Sequence, residues 1–119
     1  MLNNARILVA EDEAFIALDI AMAIEDAGGQ VIGPAANVSE ALELLANNEV
    51  SGAILDVNLA DRDVTPVALA LLKKNVPLVF HTGVGIPLEL SAQNLDFVVC
   101  IKPTSPDRLI RHLRRQMAQ

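Results

Sequence analysis

The 119-residue chain has no tyrosine, no tryptophan and one cysteine. Aromatic side chains are confined to Phe15, Phe80 and Phe97, so any core must be packed from aliphatic groups. The lone thiol, Cys100, lies within an apolar run; it excludes an internal disulfide, fits a reducing compartment and reads as inert core packing. Basic residues are also scarce, nine against fifteen acids, for a formal net charge of −6. That balance disfavours broad nucleic-acid binding, whose affinity comes largely from lysine and arginine neutralising phosphates. No signal peptide is recognisable, and no uninterrupted apolar run approaches the ~20 residues of a membrane-spanning helix, so a soluble, cytoplasmic protein is expected.

What is present suits one domain over residues 1–119, with 52% hydrophobic residues to supply its core. Strand-like and helix-like segments alternate. Arg6 to Ala10 is a continuous aliphatic run that meets Glu11, Asp12 and Glu13 at once, as a central parallel strand opening onto a polar edge would. A helix follows from about Glu13 to the pair Gly28 and Gly29, with Ile16, Ile20, Ala23, Ile24 and Ala27 on one apolar face. Phe15, Leu18 and Met22 make a second stripe, readable as scattered surface groups or as a partner or homodimer surface.

Gln30 to Ala36 is the second strand, placed at an edge by Gly33 and Pro34 because proline cannot donate to a central ladder. Asn37 and Glu40 have capping-box spacing, which starts a helix over Val38 to Asn47 that packs Ala41, Leu42 and Leu45 inward. Gly52 to Val57 is the third strand. After the loop Asn58 to Asp63 comes a helix over Val64 to Asn75, with Pro66 in its first turn. Pro77 to His81 is the fourth strand, then a glycine-containing loop and a short helix over Pro87 to Ala92. Phe97 to Ile101 is the fifth strand. Ser105, Pro106 and Asp107 start a last helix that runs to about Met117.

Five strand–helix pairs without hairpin signals predict a flavodoxin-like (βα)5 three-layer α/β sandwich. Its parallel five-stranded sheet has the order 2-1-3-4-5. Ligands of such sheets sit outside the carboxyl ends of the strands. Glu11 and Asp12, Asp56, Thr82 and Lys102 follow or end four of those strands. Crowded carboxylates repel one another, and a divalent cation relieves the repulsion; all-oxygen ligation by Glu11, Asp12 and Asp56, with the Asn58 carbonyl as an addition, suits Mg²⁺. Asp56 then has the setting of a nucleophile towards phosphorus, with Lys102 and Thr82 as electrostatic and hydroxyl partners.

Each residue also has a plain structural reading: an Asx turn for Asp56, a helix-start charge pair for Glu11 and Asp12, a turn hydroxyl for Thr82, a solvated charge for Lys102. Their joint arrival at one edge favours the functional reading. His81 is readable as a hydrogen-bonded neighbour of the site or as a proton acceptor in it. Arg108, Arg111, Arg114 and Arg115 flank Leu109, Leu113 and Met117 on the last helix, together with His112. They favour a solvated face, or a docking face for an acidic partner, over a nucleic-acid stripe.

With these residues in place, the chain resembles response-regulator receiver domains along nearly its whole length. The resemblance is carried by Glu11-Asp12 after ILVA, Asp56 within ILDVN, Thr82 followed by the small Gly83, and Lys102-Pro103. It implies transfer of a phosphoryl group to Asp56 from a histidine kinase or histidine phosphotransfer protein. Mg²⁺ would be bound by Glu11 or Asp12, Asp56 and Asn58, with Thr82 and Lys102 sensing the phosphate and a cis bond before Pro103. It further implies a signalling protein rather than an enzyme, acting on an output partner.

PLVFHTGVG, with TPVALAL in the third helix, is similar to an alphaproteobacterial receiver subfamily whose strand-four motif reads like Phe-Ala-Thr-Gly-Tyr. His81 and Val84 replace the Ala and Tyr, and Val99 stands where many receivers carry an aromatic residue. A flavodoxin-like cofactor-binding reading fails on Glu11-Asp12-Glu13, which would repel a phosphate, and an aspartyl phosphatase would want an acid at Asn58. The remaining alternative is a receiver fold that works as an unphosphorylated interaction module.

Overall fold

A computed structural model describes residues 2–93 and 97–118. The elements follow in strict alternation: β1 (Arg6–Ala10), α1 (Ala14–Asp26), β2 (Gln30–Ala35), α2 (Val38–Asn47), β3 (Gly52–Asp56), α3 (Thr65–Lys73), β4 (Leu78–Thr82), α4 (Leu88–Ser91), β5 (Val98–Ile101) and α5 (Pro106–Met117). The strands form one parallel sheet in the order β2-β1-β3-β4-β5, as the alternation predicts.

Period-two alternation along the central strands sends side chains to both faces of the sheet and explains why those strands read as unbroken apolar runs. Leu8, Leu55 and Phe80 enter one buried cluster with Leu45 of α2 and Leu71 of α3. Ile7, Val9, Ile54 and Val79 enter the other with Ile20 and Ile24 of α1 and Leu109 and Leu113 of α5. Cys100 belongs to this second cluster, and burial pushes its thiol pKa up, against a smaller lowering by Arg108. Among the described residues, Phe80 stands edge-on to Phe97 at 5.3 Å between centroids.

Local signals set most boundaries. Asn37 caps α2, its Oδ1 accepting from Glu40 N at 2.7 Å, and Ser105 caps α5 through Arg108 N at 3.3 Å. Gly28 takes φ +85° after α1. Gly33 has φ +106°, and a Cβ there would lie 2.9 Å from Val9 O, so only glycine fits where β2 bends past β1. The peptide bonds before Pro34 and Pro103 are both cis. Strand β4 extends to Thr82, one residue beyond the sequence reading, because Thr82 still pairs with Ile101 of β5. Helix α3 ends at Lys73, earlier than the predicted Asn75, which takes a left-handed φ of 58°.

The second stripe of α1 faces outward, with Phe15 84% exposed and Leu18 and Met22 about half exposed. Its inner face is Ala17, Ile20, Ala21 and Ile24. On α5, Leu109, Ile110 and Leu113 are buried while Arg108, Arg111, Arg114 and Arg115 lie in solvent.

Candidate functional site

The strand register assembles the site. Ala10, Leu55, Phe80 and Val99 pair across the sheet in one row. One residue further along each strand therefore stand Glu11, Asp56, His81 and Cys100, and a further step brings Thr82 beside Ile101. Parallel strands cut off at the same level deliver these side chains to one edge, although Glu11 and Thr82 are 71 positions apart in the sequence.

Glu11 and Asp56 are 3% and 7% exposed, whereas Asp12 is exposed. One carboxylate oxygen from each lies within 4.8 Å of the others. Lys102 Nζ donates to Asp56 Oδ2 at 3.2 Å and lies 3.2 Å from Glu11 Oε1. The second approach is an ion pair without hydrogen-bond alignment, so buried Oε1 is left unsatisfied while Oε2 accepts from Glu13 N at 3.1 Å. Burial, reinforced by Asp56, raises the Glu11 carboxyl to about 7 against the lowering by Glu13 N and Lys102. Burial works to lower the Lys102 pKa and is outweighed by Glu11 and Asp56, which hold it raised.

A buried carboxylate oxygen without a donor, beside two further carboxylates, has the chemistry of a hard divalent cation's ligand set. The residues therefore fit Mg²⁺. Asn58 lies two positions beyond Asp56, bridged to Asp63, and its side chain is exposed.

Thr82 is buried at the end of β4, and its Oγ1 accepts from Val84 N at 3.2 Å. Its carbonyl accepts from Lys102 N at 2.9 Å, which ties the lysine's backbone to β4. Beside Gly83 a Cβ would meet nothing within 4 Å, so the approach past this residue is open.

Two contributors are not apparent from motif spacing. Asp61 accepts from Val38 N at 2.7 Å and Ser39 N at 3.2 Å, so the loop after β3 caps α2 from 23 positions away. His81, which the sequence marks only as a neighbour, is buried inside β4 with Nε2 accepting from Thr104 N at 3.3 Å. Burial and then Lys102 lower its pKa, against the pull of Asp56. A histidine in an otherwise apolar strand is the sequence signal for the second contact, whereas Asp61 caps a helix that precedes it and carries no such signal.

Order 2-1-3-4-5, with an acidic cluster and a lysine at the carboxyl edge of the sheet, gives the chain the CheY-like fold. No family model matches the chain. Individual proteins do. SdrG from Sphingomonas melonis Fr1 is 30% identical, with full coverage of both chains and a TM-score of 0.76. A response regulator receiver protein from Sinorhizobium medicae is 26% identical over 99% of this chain and 98% of its own, with a TM-score of 0.84. The chain belongs to the response-regulator receiver family.

Two curated regulators carry the same likeness. The transcriptional regulatory protein PdtaR of Mycobacterium tuberculosis is 35% identical over 79 residues, 66% of this chain and 38% of PdtaR. The phyllosphere-induced regulator PhyR of Methylorubrum extorquens is 38% identical over 80 residues, 65% of this chain and 30% of PhyR. The matched region is thus well under half the length of these relatives. Among the described residues no helix is long and apolar enough to cross a membrane.

Proposed function

We propose that the chain accepts a phosphoryl group on Asp56 from a phosphohistidine donor, a histidine kinase or histidine phosphotransfer protein, and thereby changes its affinity for an output partner. One observation carries the proposal: Lys102 Nζ stands 3.2 Å from Asp56 Oδ2 in a cluster of three carboxylates at the carboxyl edge of the sheet. In the transfer an Asp56 carboxylate oxygen attacks phosphorus, the O–P bond forms as the donor's N–P bond breaks, and the electron pair leaves with the imidazole, which takes up a proton. Glu11, Asp12, Asp56 and the Asn58 carbonyl would hold Mg²⁺, which supplies charge compensation at the phosphoryl oxygens. Lys102 offers those oxygens a cation whose charge is secured by its carboxylate neighbours. Thr82 offers a hydroxyl once it turns from Val84 N. Hydrolysis later returns Asp56 to the free carboxylate.

The loop after β4 and the four-residue helix α4 are the segments this charge change would bias, since Thr82 ends the strand that leads into them. The reading treats residues 1–119 as one receiver domain, soluble and cytoplasmic. Intact mass after incubation with acetyl phosphate and Mg²⁺ tests it. A hydroxylamine-labile gain of one phosphoryl group in the wild type, absent from Asp56→Asn, is expected. No gain with acetyl phosphate or with a cognate phosphohistidine donor would leave the unphosphorylated interaction module as the function.

A further inference from the structure

His81 is the one buried histidine, in a row otherwise occupied by Glu11, Asp56 and Cys100. Its backbone pairs with Asp56 on one side and Cys100 on the other. Its ring does not point idly into the core. Nε2 accepts from Thr104 N at 3.3 Å, and Thr104 lies two residues beyond Lys102 in the β5–α5 loop. Thr104 Oγ1 in turn donates to Ile101 O at 2.6 Å, which folds the loop back on the end of β5. Lys102 N donates to Thr82 O at 2.9 Å. The short segment that carries the lysine is therefore tied to β4 twice, once by the backbone of Thr82 and once by the side chain of His81.

The second tie matters because the loop borders a cavity of about 430 Å³, lined in part by Ile16, Ile20, His81, Pro103, Thr104 and Pro106. Loose packing on that side leaves room for the loop to shift towards α1, and Lys102 is itself only partly buried. An alanine in place of His81 would widen the cavity and leave Thr104 N without this acceptor. The ammonium group would then lose a constraint on its approach to Asp56.

We propose that His81 is a positioning residue, whose imidazole braces the β5–α5 loop against β4 and so sets Lys102 at the phosphoacceptor carboxylate. The brace itself is independent of phosphorylation, whereas its consequence for transfer rests on the function proposed above. An Nε2 that accepts a hydrogen bond carries no proton, so the bracing imidazole is the neutral tautomer with its hydrogen on Nδ1.

Three variants and two readouts test the brace. His81→Leu keeps volume and removes the acceptor, His81→Gln keeps an acceptor oxygen, and His81→Ala removes both. In ¹⁵N-labelled wild-type protein, a scalar coupling across the hydrogen bond between Thr104 N and His81 Nε2 is expected, and its absence would overturn the proposal. Phosphorylation by acetyl phosphate is expected to slow about tenfold in His81→Leu and His81→Ala, with His81→Gln near the wild type, as for a misplaced catalytic group. Equal rates in Leu, Gln and wild-type proteins, or Gln as slow as Leu, would refute it.

Should Leu and Ala variants fail to fold, the coupling and the Gln variant still decide. Should the wild type take no phosphoryl group, the acceptor reading falls. The brace is then judged by the Lys102 ammonium ¹⁵N shift, which is expected to move to that of a free lysine in His81→Leu and to stay in place in His81→Gln.

Discussion

Lys102 Nζ donates a hydrogen bond to Asp56 Oδ2 across 3.2 Å, joining two residues 46 positions apart at the ends of non-adjacent strands. The bond links the cation proposed to meet the phosphate to the carboxylate proposed to receive it. In Lys102→Met, Asp56 and Glu11 face each other without that cation. Loss of one fixed donor from a charged transition state slows transfer by about 10²-fold. We expect that fall in the acetyl phosphate rate at saturating Mg²⁺, with a folded protein confirmed by circular dichroism.

The strands and the acidic edge are legible in the sequence because each central strand is a contiguous aliphatic run that stops at a polar residue. Ile7 to Ala10 before Glu11 and Ala53 to Leu55 before Asp56 need no tertiary information. The Asn37 and Ser105 caps are equally local. By contrast, Asp61 reaches Val38 N and Thr104 reaches His81 only after the sheet has closed, each across 23 positions. No periodicity encodes such contacts. The end of β4 at Thr82 is likewise decided by pairing with Ile101 rather than by the residues of β4 itself.

Glu11 gives the protein a pH-dependent stability whose sign is set by burial. Its carboxyl is raised from 4.5 to about 7, so the folded state holds a proton that the unfolded chain releases between those values. The protonated acid's contribution is fully present below about 4.5 and is lost as pH rises through about 7. In metal-free buffer the urea midpoint should fall from pH 5 to pH 8, by on the order of 2 kcal/mol in unfolding free energy. Glu11→Gln, neutral at every pH, should abolish most of that slope and exceed the wild type in stability at pH 8.

Asp61 works in the opposite sense. Its carboxyl is held below 3.8, first by the hydrogen bond from Val38 N, which together with the weaker bonds from Ser39 N and Arg62 N outweighs the opposing effect of burial. A depressed folded pKa stabilises above the unfolded value and loses that contribution as pH falls through the folded one. Asp61→Ala should therefore lower the melting temperature by an amount constant from pH 8 to pH 5 that shrinks below about pH 4. Because α2 keeps the Asn37 cap, its helix should persist in amide chemical shifts while the loop after β3 loosens.

Metal binding separates the side-chain ligands from the backbone one. Glu11, Asp12 and Asp56 would bring carboxylates to Mg²⁺, whereas Asn58 would bring only its carbonyl, which survives any substitution of its exposed side chain. Titration of Mg²⁺ followed by amide shifts should then show affinity reduced by about tenfold or more in Asp12→Ala and in Asp56→Asn. Asn58→Ala should bind within about twofold of the wild type, since a change confined to an exposed side chain away from a ligand atom rarely exceeds 0.5 kcal/mol. Glu11→Gln adds a pH test: its Mg²⁺ affinity should be lower than that of the wild type at pH 8 and nearly independent of pH, while wild-type affinity rises between pH 6 and pH 8 as the metal displaces the Glu11 proton. Equal loss in Asn58→Ala and Asp12→Ala would place a side chain of Asn58 in the coordination sphere and remove the backbone carbonyl from it.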